Sequence, residues 1–532
     1  MANSKYEYVK FFEVQDKIML PTFIVVVIDG RNFRRFSKAH KFEKPHDRRA
    51  LKLMKSCAAG VMEEYPDIIF SYGFSDEYSF IFKKESKFYQ RRESKILSLL
   101  VSFFTSLFTI KWNDFFPDNK LLYAPSFHAH VIRCPTLEVL QSYLAWRQND
   151  CHLNNLYDTC FWKLIEGRKT EAGMSETEAH EFLKGTQKQE QNELLFQKFD
   201  LNYKTLHPMF RQGTCLFKAQ VEDIIKYKEN GDPVKRLRRK MIKVRSDNIA
   251  GKKFWNQHSS LLSELGRFEE DIRRVRPEYI ESFQFQDKLL LSTWIVVRID
   301  GCHFHRFSDV HAFEKPNDVR ALNLMNSCAA ALLDEFRDII FAYGVSDEFS
   351  FILDKKSKLN ERHPSGIVSA MVSFFSSMYI SKWKEFFPLI ELKYPPSFDG
   401  RAVCYPSSEI LRDYLSWRQV DCHINNQYNT CFWTLVKSGK SKSEAQKTLK
   451  SAIQGTQTQE KIDLLIKNGI DYAALPDIYR RGSSVFWNKE NKVDLNVNEN
   501  EDSRMNIVIE HCNIIDDGFW DAHPWILGDS WH

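Results

Sequence analysis

Phe23-Ile-Val-Val-Val-Ile-Asp-Gly30 returns 271 residues later as Trp294-Ile-Val-Val-Arg-Ile-Asp-Gly301. A continuous β-branched run reads as a buried central strand, and Asp-Gly ends it. Working outward, the same offset carries His40–Ala59 onto His311–Ala330 with 15 of 20 positions identical. It holds through Asp76/Asp347 to His152/His423, a span of more than 120 residues. One register over that distance means duplication of a whole folding unit, not a short solenoid repeat. The 532-residue chain is therefore read as two copies, residues 1–217 and 272–487, with a linker at 218–271 and a tail at 488–532.

Within the first copy, the segment from Pro45 to Glu64 reads as a helix. Asp47 is placed to cap it, and Ala50, Leu51, Met54, Ala58 and Val61 recur at helical spacing. Ile68–Tyr72 and Tyr78–Phe82 flank the polar turn Gly73-Phe-Ser-Asp-Glu77 and read as a hairpin. Glu93–Trp112 is a second long helix, Val131–Cys134 a further strand, and Thr136–Trp162 largely helical. Strand, helix, hairpin, helix, strand predicts a small α/β or α+β sheet with helices on one face.

The composition is that of a globular protein: 43% hydrophobic, 14% aromatic and 27% charged, which excludes disordered and collagen-like classes. Eleven cysteines without a C-x-x-C pair exclude a disulfide scaffold and fit a reducing compartment. Ile96–Ile110 is interrupted by Ser98, Ser102, Thr105, Ser106 and Thr109 and is expected to fall short of a membrane span. A soluble intracellular protein with no membrane partner is expected. The net charge of +5 is more than accounted for by Lys218–Lys253, with twelve Lys/Arg against five Asp/Glu. Its centre, Val234-Lys-Arg-Leu-Arg-Arg-Lys240, reads as a solvated connector, a phosphate-backbone contact or a nuclear import signal. The tail is rich in Asn, Asp and Glu and ends in the aromatic cluster Phe519-Trp520 and Trp525.

Asp29 closes a buried strand, and Asp76 and Glu77 lie in the hairpin turn. If the hairpin packs beside that strand, the three carboxylates converge at one sheet edge. An oxygen-only site of this kind suits Mg²⁺, which takes a couple of carboxylates, waters and substrate phosphates. Paired ions activate a hydroxyl nucleophile and stabilise a leaving phosphate. Asp300-Gly301 and Ser346-Asp347-Glu348 repeat the pattern. Lys44, Arg91, Arg92 and Lys95 offer cations for phosphates, and Lys315 repeats the first. His152-Leu-Asn-Asn155 and His423-Ile-Asn-Asn426 offer hydrogen bonds to a phosphate or base edge. That segment does not fit a palm-type nucleotide cyclase.

Met1-Ala-Asn-Ser-Lys5, Asp29-Gly-Arg-Asn-Phe33, Lys44-Pro45, Ser75-Asp-Glu77, Arg91-Arg-Glu-Ser-Lys95 and His152–Tyr157 together resemble the tRNA-histidine guanylyltransferase family. Their tandem arrangement resembles the form found in plants. The resemblance implies two polymerase-palm-like (ferredoxin-like) domains with flanking helices. It implies addition of a guanosine nucleotide from GTP to the 5′ end of tRNA-histidine after ATP-dependent 5′-adenylylation, with two Mg²⁺ per site. Metals would be held by Asp29, the Gly30 carbonyl and Asp76, and equivalently by Asp300, Gly301 and Asp347. Glu77 and Glu348 would join the catalytic set.

Nucleotide contacts would come from the Asp29-Gly30-Arg31-Asn32-Phe33-Arg34 stretch, Lys44, Ser75, Asp76 and Lys95. In the second copy they would come from Asp300-Gly301-Cys302-His303-Phe304-His305, Lys315, Ser346 and Asp347. His152, Asn155, His423 and Asn426 would touch nucleotide or the tRNA end. A nuclear location and self-association are also expected. A template-directed 3′–5′ repair polymerase and a non-catalytic tRNA-binding scaffold are the competing readings.

Each copy departs from the family pattern. The first has Val27, Arg34, His128-Ala-His130 and Asp158 where the second has Arg298, His305, Asp399-Gly-Arg401 and Asn429. The second has Cys302-His303 for Arg31-Asn32 and lacks the Arg-Arg-x-Ser-Lys run. The split predicts that the second copy is the better catalyst, while the first helps bind tRNA and supplies Lys95.

Overall fold

Strand alternation puts Ile24, Val26 and Ile28 on one face of Phe23–Gly30 and Phe23, Val25 and Val27 on the other, and all six are buried. In the computed structural model of the chain, this strand lies inside a six-stranded antiparallel sheet. The structure describes residues 5–13, 15–167, 172–228, 232–258, 261, 264–265, 288–453, 458–488 and 506–528. The family-like residues Met1–Ser4, the end of the predicted linker and the acidic run at 489–505 lie outside them. The chain forms two compact units: residues 16–286, and residues 287–532 together with the first fifteen.

The first unit runs β1 (Phe23–Gly30), α1 (Phe33–Ala39), α2 (Arg48–Glu64), β2 (Ile68–Phe74), β3 (Glu77–Phe82), α3 (Glu93–Phe115), β4 (Phe127–Cys134) and α4 (Leu137–Glu166). Short helices α5 (Glu176–Leu183), α6 (Lys188–Phe199) and α7 (Pro208–Gln212) follow, then β5 (Thr214–Tyr227), β6 (Pro233–Arg245) and α8 (Lys252–Gln257). The sheet order is β4-β1-β3-β2-β5-β6. Its first four strands, with crossover helices α2 and α3, have the ferredoxin-like order. Asp47 caps α2 by accepting from the Arg49 backbone N–H at 2.8 Å.

Helices cover both faces, against the one-face expectation. Side chains of α2 and α3 pack on Ile24, Val26 and Ile28; those of α4 and α8 pack on Phe23, Val25 and Val27. A strand apolar on both sides needs both sides covered. α3 also corrects the reading of Ile96–Ile110. At 23 residues it is long and apolar enough to cross a membrane, and 72% of its apolar window is buried inside the protein. Thr105 and Thr109 direct their hydroxyls to backbone carbonyls four residues earlier, so they do not interrupt its apolar character.

The second unit repeats the plan: β7 (Trp294–Gly301), α9 (Phe304–Val310), α10 (Val319–Glu335), β8 (Ile339–Val345), β9 (Glu348–Leu353), α11 (Pro364–Phe386), β10 (Phe398–Tyr405) and α12 (Ser408–Lys437). Helices α13 (Lys442–Ile453), α14 (Thr458–Lys467) and α15 (Asp477–Arg481) lead to β11 (Ser483–Asn488), β12 (Asn506–Glu510) and α16 (Asp517–Ala522). The order is β10-β7-β9-β8-β11-β12.

Three boundaries change. Residue 218 falls inside β5, so the basic segment is no free linker: β5 and β6 extend the first sheet, and Lys235–Lys240 belong to its outer strand. Residue 488 ends β11, and the tail completes the second sheet and its cover. Trp255 donates its indole N–H to the Ile249 carbonyl, and Trp520 to that of Ile514. The repeat thus continues at an offset of 265: two residues are lost before the second hairpin, where Ser483 matches Thr214, and four within it. Finally, the first fifteen residues pack with the second unit, not with the copy they precede.

Candidate active site

Backbone pairing brings the predicted carboxylates together in each unit. Asp29 at the end of β1 is the cross-strand partner of Glu77 at the start of β3. The Gly30 N–H donates to the Asp76 carbonyl at 3.2 Å, which ties the turn to the strand end. In the second unit Asp300 faces Glu348, and Gly301 N–H donates to the Asp347 carbonyl at 3.0 Å. A Cβ on Gly30 or Gly301 would lie 2.5 or 2.3 Å from the ring of Phe33 or Phe304, so the Asp-Gly pair needs its glycine. Ser75 and Ser346 hold left-handed backbone, φ 51° and 56°, a strain that side-chain bonds to Asp76 (3.0 Å) and Asp347 (2.9 Å) help to fix.

This crowding raises the carboxyl pKa values. Burial first, then the charges of Glu77 and Asp76, pushes Asp29 up to about 7. Burial, then Glu348, Asp347 and Asp399, pushes Asp300 to about 7. Asp76 and Asp347 are raised by burial against the bonds from their serines. Three carboxylates meeting at a half-buried sheet end repel one another, and a divalent cation would relieve that repulsion. Among the described residues no three His, Cys, Asp or Glu side chains are arranged to cage an ion unaided. An ion held here would have to complete its shell with water and phosphate oxygens, as Mg²⁺ does.

Glu77 is not free to join such an ion. Arg147 Nε lies 2.9 Å from one of its oxygens and Nη2 bonds the other, a two-point clamp. Arg418 Nη2 lies 2.7 Å from Glu348. Sequence reasoning missed both arginines. The signal was present as Trp146-Arg147-Gln148, repeated as Trp417-Arg418-Gln419.

In the first unit the carboxylates border two cavities of about 370 and 380 Å³. Asp29, Glu77 and Asn155 line the first, Phe33, Arg34 and Lys44 the second, and Ser75, Asp76, His46 and Asp158 line both. In the second unit a cavity of about 670 Å³ is lined by Phe304, His305, Lys315, Ser346, Asp347 and Asn426 among others. Lys44 Nζ stands 5.3 Å from the Trp162 ring centre; Lys315 Nζ bonds Ser308 Oγ at 2.6 Å.

The remaining predicted residues lie outside these cavities. Arg31 and Cys302 anchor the turn after the strand through backbone N–H bonds to the Ser126 and Ser397 carbonyls. Asn32 and His303 adopt left-handed backbone at the entries to α1 and α9. None of these four lines a cavity described above. Lys95 sits in the first turn of α3 with Nζ 5.2 Å from the Tyr89 ring centre, also outside the cavities. His152 and His423 meet the edges of Tyr203 and Tyr472 and line none of them.

Two of the side-chain changes between the cavities replace a titratable group beside Lys44 by an amide beside its counterpart Lys315. Asp158, raised to about 6 by burial despite Lys44 and Arg34, is replaced by Asn429. His46, lowered to about 4 by burial and the charge of Lys44, is replaced by Asn317, which accepts from Asn426 Nδ2 at 3.0 Å.

The chain matches the family of tRNA-His guanylyltransferases over residues 6–135 and again over 277–406. It matches that family's C-terminal domain over 138–258 and 409–516. The tRNA(His) guanylyltransferases 1 and 2 of Arabidopsis thaliana are 62% and 59% identical over the whole of this chain, which spans 92% and 100% of their lengths. A probable tRNA(His) guanylyltransferase of Dictyostelium discoideum is 47% identical over 48% of this chain and 98% of its own. The crystal structure of the Saccharomyces cerevisiae tRNA(His) guanylyltransferase is 44% identical over 40% of this chain and 93% of its own, with a TM-score of 0.38.

Proposed function

Because the chain belongs to the tRNA-His guanylyltransferase family and is a nucleotidyltransferase, we propose that it adds a guanosine nucleotide to the 5′ end of tRNA-histidine, chiefly through its second copy. The observation that carries this reading is the Gly301 N–H bond to the Asp347 carbonyl, which ties the strand end that carries Asp300 to a residue lining a cavity of about 670 Å³.

Two phosphoryl transfers account for the reaction. The tRNA 5′-phosphate attacks the α-phosphorus of ATP and releases pyrophosphate, leaving a 5′-adenylate. The 3′-hydroxyl of GTP then attacks the tRNA 5′-phosphorus and displaces AMP; pyrophosphate is later removed from the added nucleotide. Such transfers depend on positioning and charge stabilisation. Asp300, the Gly301 carbonyl and Asp347 would hold Mg²⁺, as would Asp29, the Gly30 carbonyl and Asp76. When bound, the ions neutralise phosphate charge and lower the pKa of the attacking hydroxyl. Lys315 and His305 line the cavity where a triphosphate would lie, and Asn429 brings no negative charge to it. In the first copy Asp158 stands beside Lys44 and Arg34 and opposes an anion there. That copy is assigned to gripping tRNA.

The test is incubation with Mg²⁺, ATP, labelled GTP and 5′-monophosphorylated tRNA-histidine, beside a second tRNA. Label in tRNA-histidine alone is expected. Label in both would favour 5′-end repair, and label in neither would leave a tRNA-binding scaffold.

A further inference from the structure

The first fifteen residues of the chain pack into the second unit through a short helical turn, Glu7–Phe12. Val9 is fully buried in one cluster with Trp294, Val296 and Tyr414, and Phe12 packs against it with its ring 5.5 Å from that of Tyr405. The Tyr8 hydroxyl donates to Asp413, and Lys10 Nζ lies 5.2 Å from the Trp417 ring centre. This docking delivers Glu13 to β7 and β10, where Arg298 and Arg401 are cross-strand partners. Glu13 pairs with both: Oε1 is 3.6 Å from Arg298 Nη1, and Oε2 accepts from Arg401 Nη1.

On its other side Arg298 Nε lies 3.9 Å from Glu348 Oε2, and Arg418 holds the remaining Glu348 oxygen. The row of charges Arg401, Glu13, Arg298, Glu348, Arg418 therefore ends at the residue opposite Asp300. Without Glu13, two half-buried guanidinium groups would have only the site carboxylates as counter-charges.

The repeat supplies a second, independent observation. At an offset of 271, Arg298, Arg401 and Glu13 correspond to Val27, His130 and Gln284, whereas Glu348 and Arg418 correspond to Glu77 and Arg147. The two bases are absent from the first copy and the repeat of Glu13 is a glutamine, while the glutamate–arginine clamp is present in both.

We propose that Glu13 is a positioning residue of the second copy: it occupies Arg298 and Arg401, so that a divalent cation held by Asp300 and Asp347 meets less positive charge. The proposal rests on the metal reading above. Its consequence is that the opening segment of the chain completes the site of the copy that follows 270 residues later.

The experiment measures Mn²⁺ binding by electron paramagnetic resonance of free Mn²⁺. The full-length protein carries Asp29→Asn and Asp76→Asn, which silence the first copy. Adding Glu13→Gln should weaken the remaining Mn²⁺ site about three- to tenfold, through loss of one nearby negative charge and release of two positive ones. Adding Arg298→Val and Arg401→His to Glu13→Gln removes all three charges, giving the residue types found at the repeat-equivalent positions, and should restore affinity to within twofold. Parental affinity in Glu13→Gln would overturn the proposal, as would a triple variant as weak as the single one. A parent with no Mn²⁺ site would sink the metal reading and this inference with it.

Discussion

In the first copy Asp29, Asp76 and Glu77 answer to one arginine, Arg147, with Val27 and His130 on the adjoining strands. In the second, Asp300, Asp347 and Glu348 answer to Arg298 and Arg418, with Arg401 and Glu13 beyond. The backbone that brings the carboxylates together is nearly superposable in its bonds: Gly30 to Asp76 at 3.2 Å, Gly301 to Asp347 at 3.0 Å. A sheet and a strained turn therefore suffice to assemble the acids. What differs between the copies is the set of charges around those acids. Asp158 against Asn429 acts on the phosphate side in the same way.

The largest effect is expected where the copies agree. Asp29 and Asp300 are both held near 7 from an ordinary 3.8, so folding favours their protonated forms. The stability this contributes is complete below pH 4 and is lost as pH rises through 7. In EDTA at pH 8, Asp29→Asn or Asp300→Asn should stabilise its own unit by up to about 3 kcal/mol, and by little at pH 4. Thermal midpoints across that range check this. Destabilisation at pH 8 would mean that neighbouring groups already compensate the charge.

A smaller effect should sharpen the phosphate-side difference. With the second copy silenced by Asp347→Ala, Asp158→Asn should strengthen binding of a fluorescent GTP analogue to the first copy about tenfold, the scale of one removed like-charge contact. No change would show that Asp158 does not set the contrast.

The smallest concerns the outer hairpin. Changing Lys235, Arg236, Arg238, Arg239 and Lys240 together to Ala should weaken tRNA binding about threefold and flatten its salt dependence, with GTP binding unchanged. Nuclear accumulation of the same variant tests the import role proposed for this strand. Unaltered tRNA affinity would leave β6 as sheet edge alone.

Much of this contrast was legible in the residues. Phe23–Gly30 announced a buried strand, and the Asp-Gly and Ser-Asp-Glu repeats located the carboxylates, because short-range pattern and backbone chemistry decide both. Residues 218–245 of the hairpin read as part of a linker because their charge resembles that of a solvated connector. Its pairing with β2, and the burial of Phe254 and Trp255 against Phe70, are long-range facts. The change of offset from 271 to 265 hid the matching tail. Glu13 was unreadable for the same reason: its partners lie 285 and 388 residues away in sequence. His152 carried the right chemistry in a repeated motif, yet its ring packs on Tyr203, because helix phase and not residue type decides what faces a cavity.

The most direct test of the division between the copies is single-turnover guanylylation of tRNA-histidine by Asp76→Ala and Asp347→Ala, each in the full chain. The account predicts at least a thousandfold loss from Asp347→Ala and less than tenfold from Asp76→Ala; equal losses would contradict it.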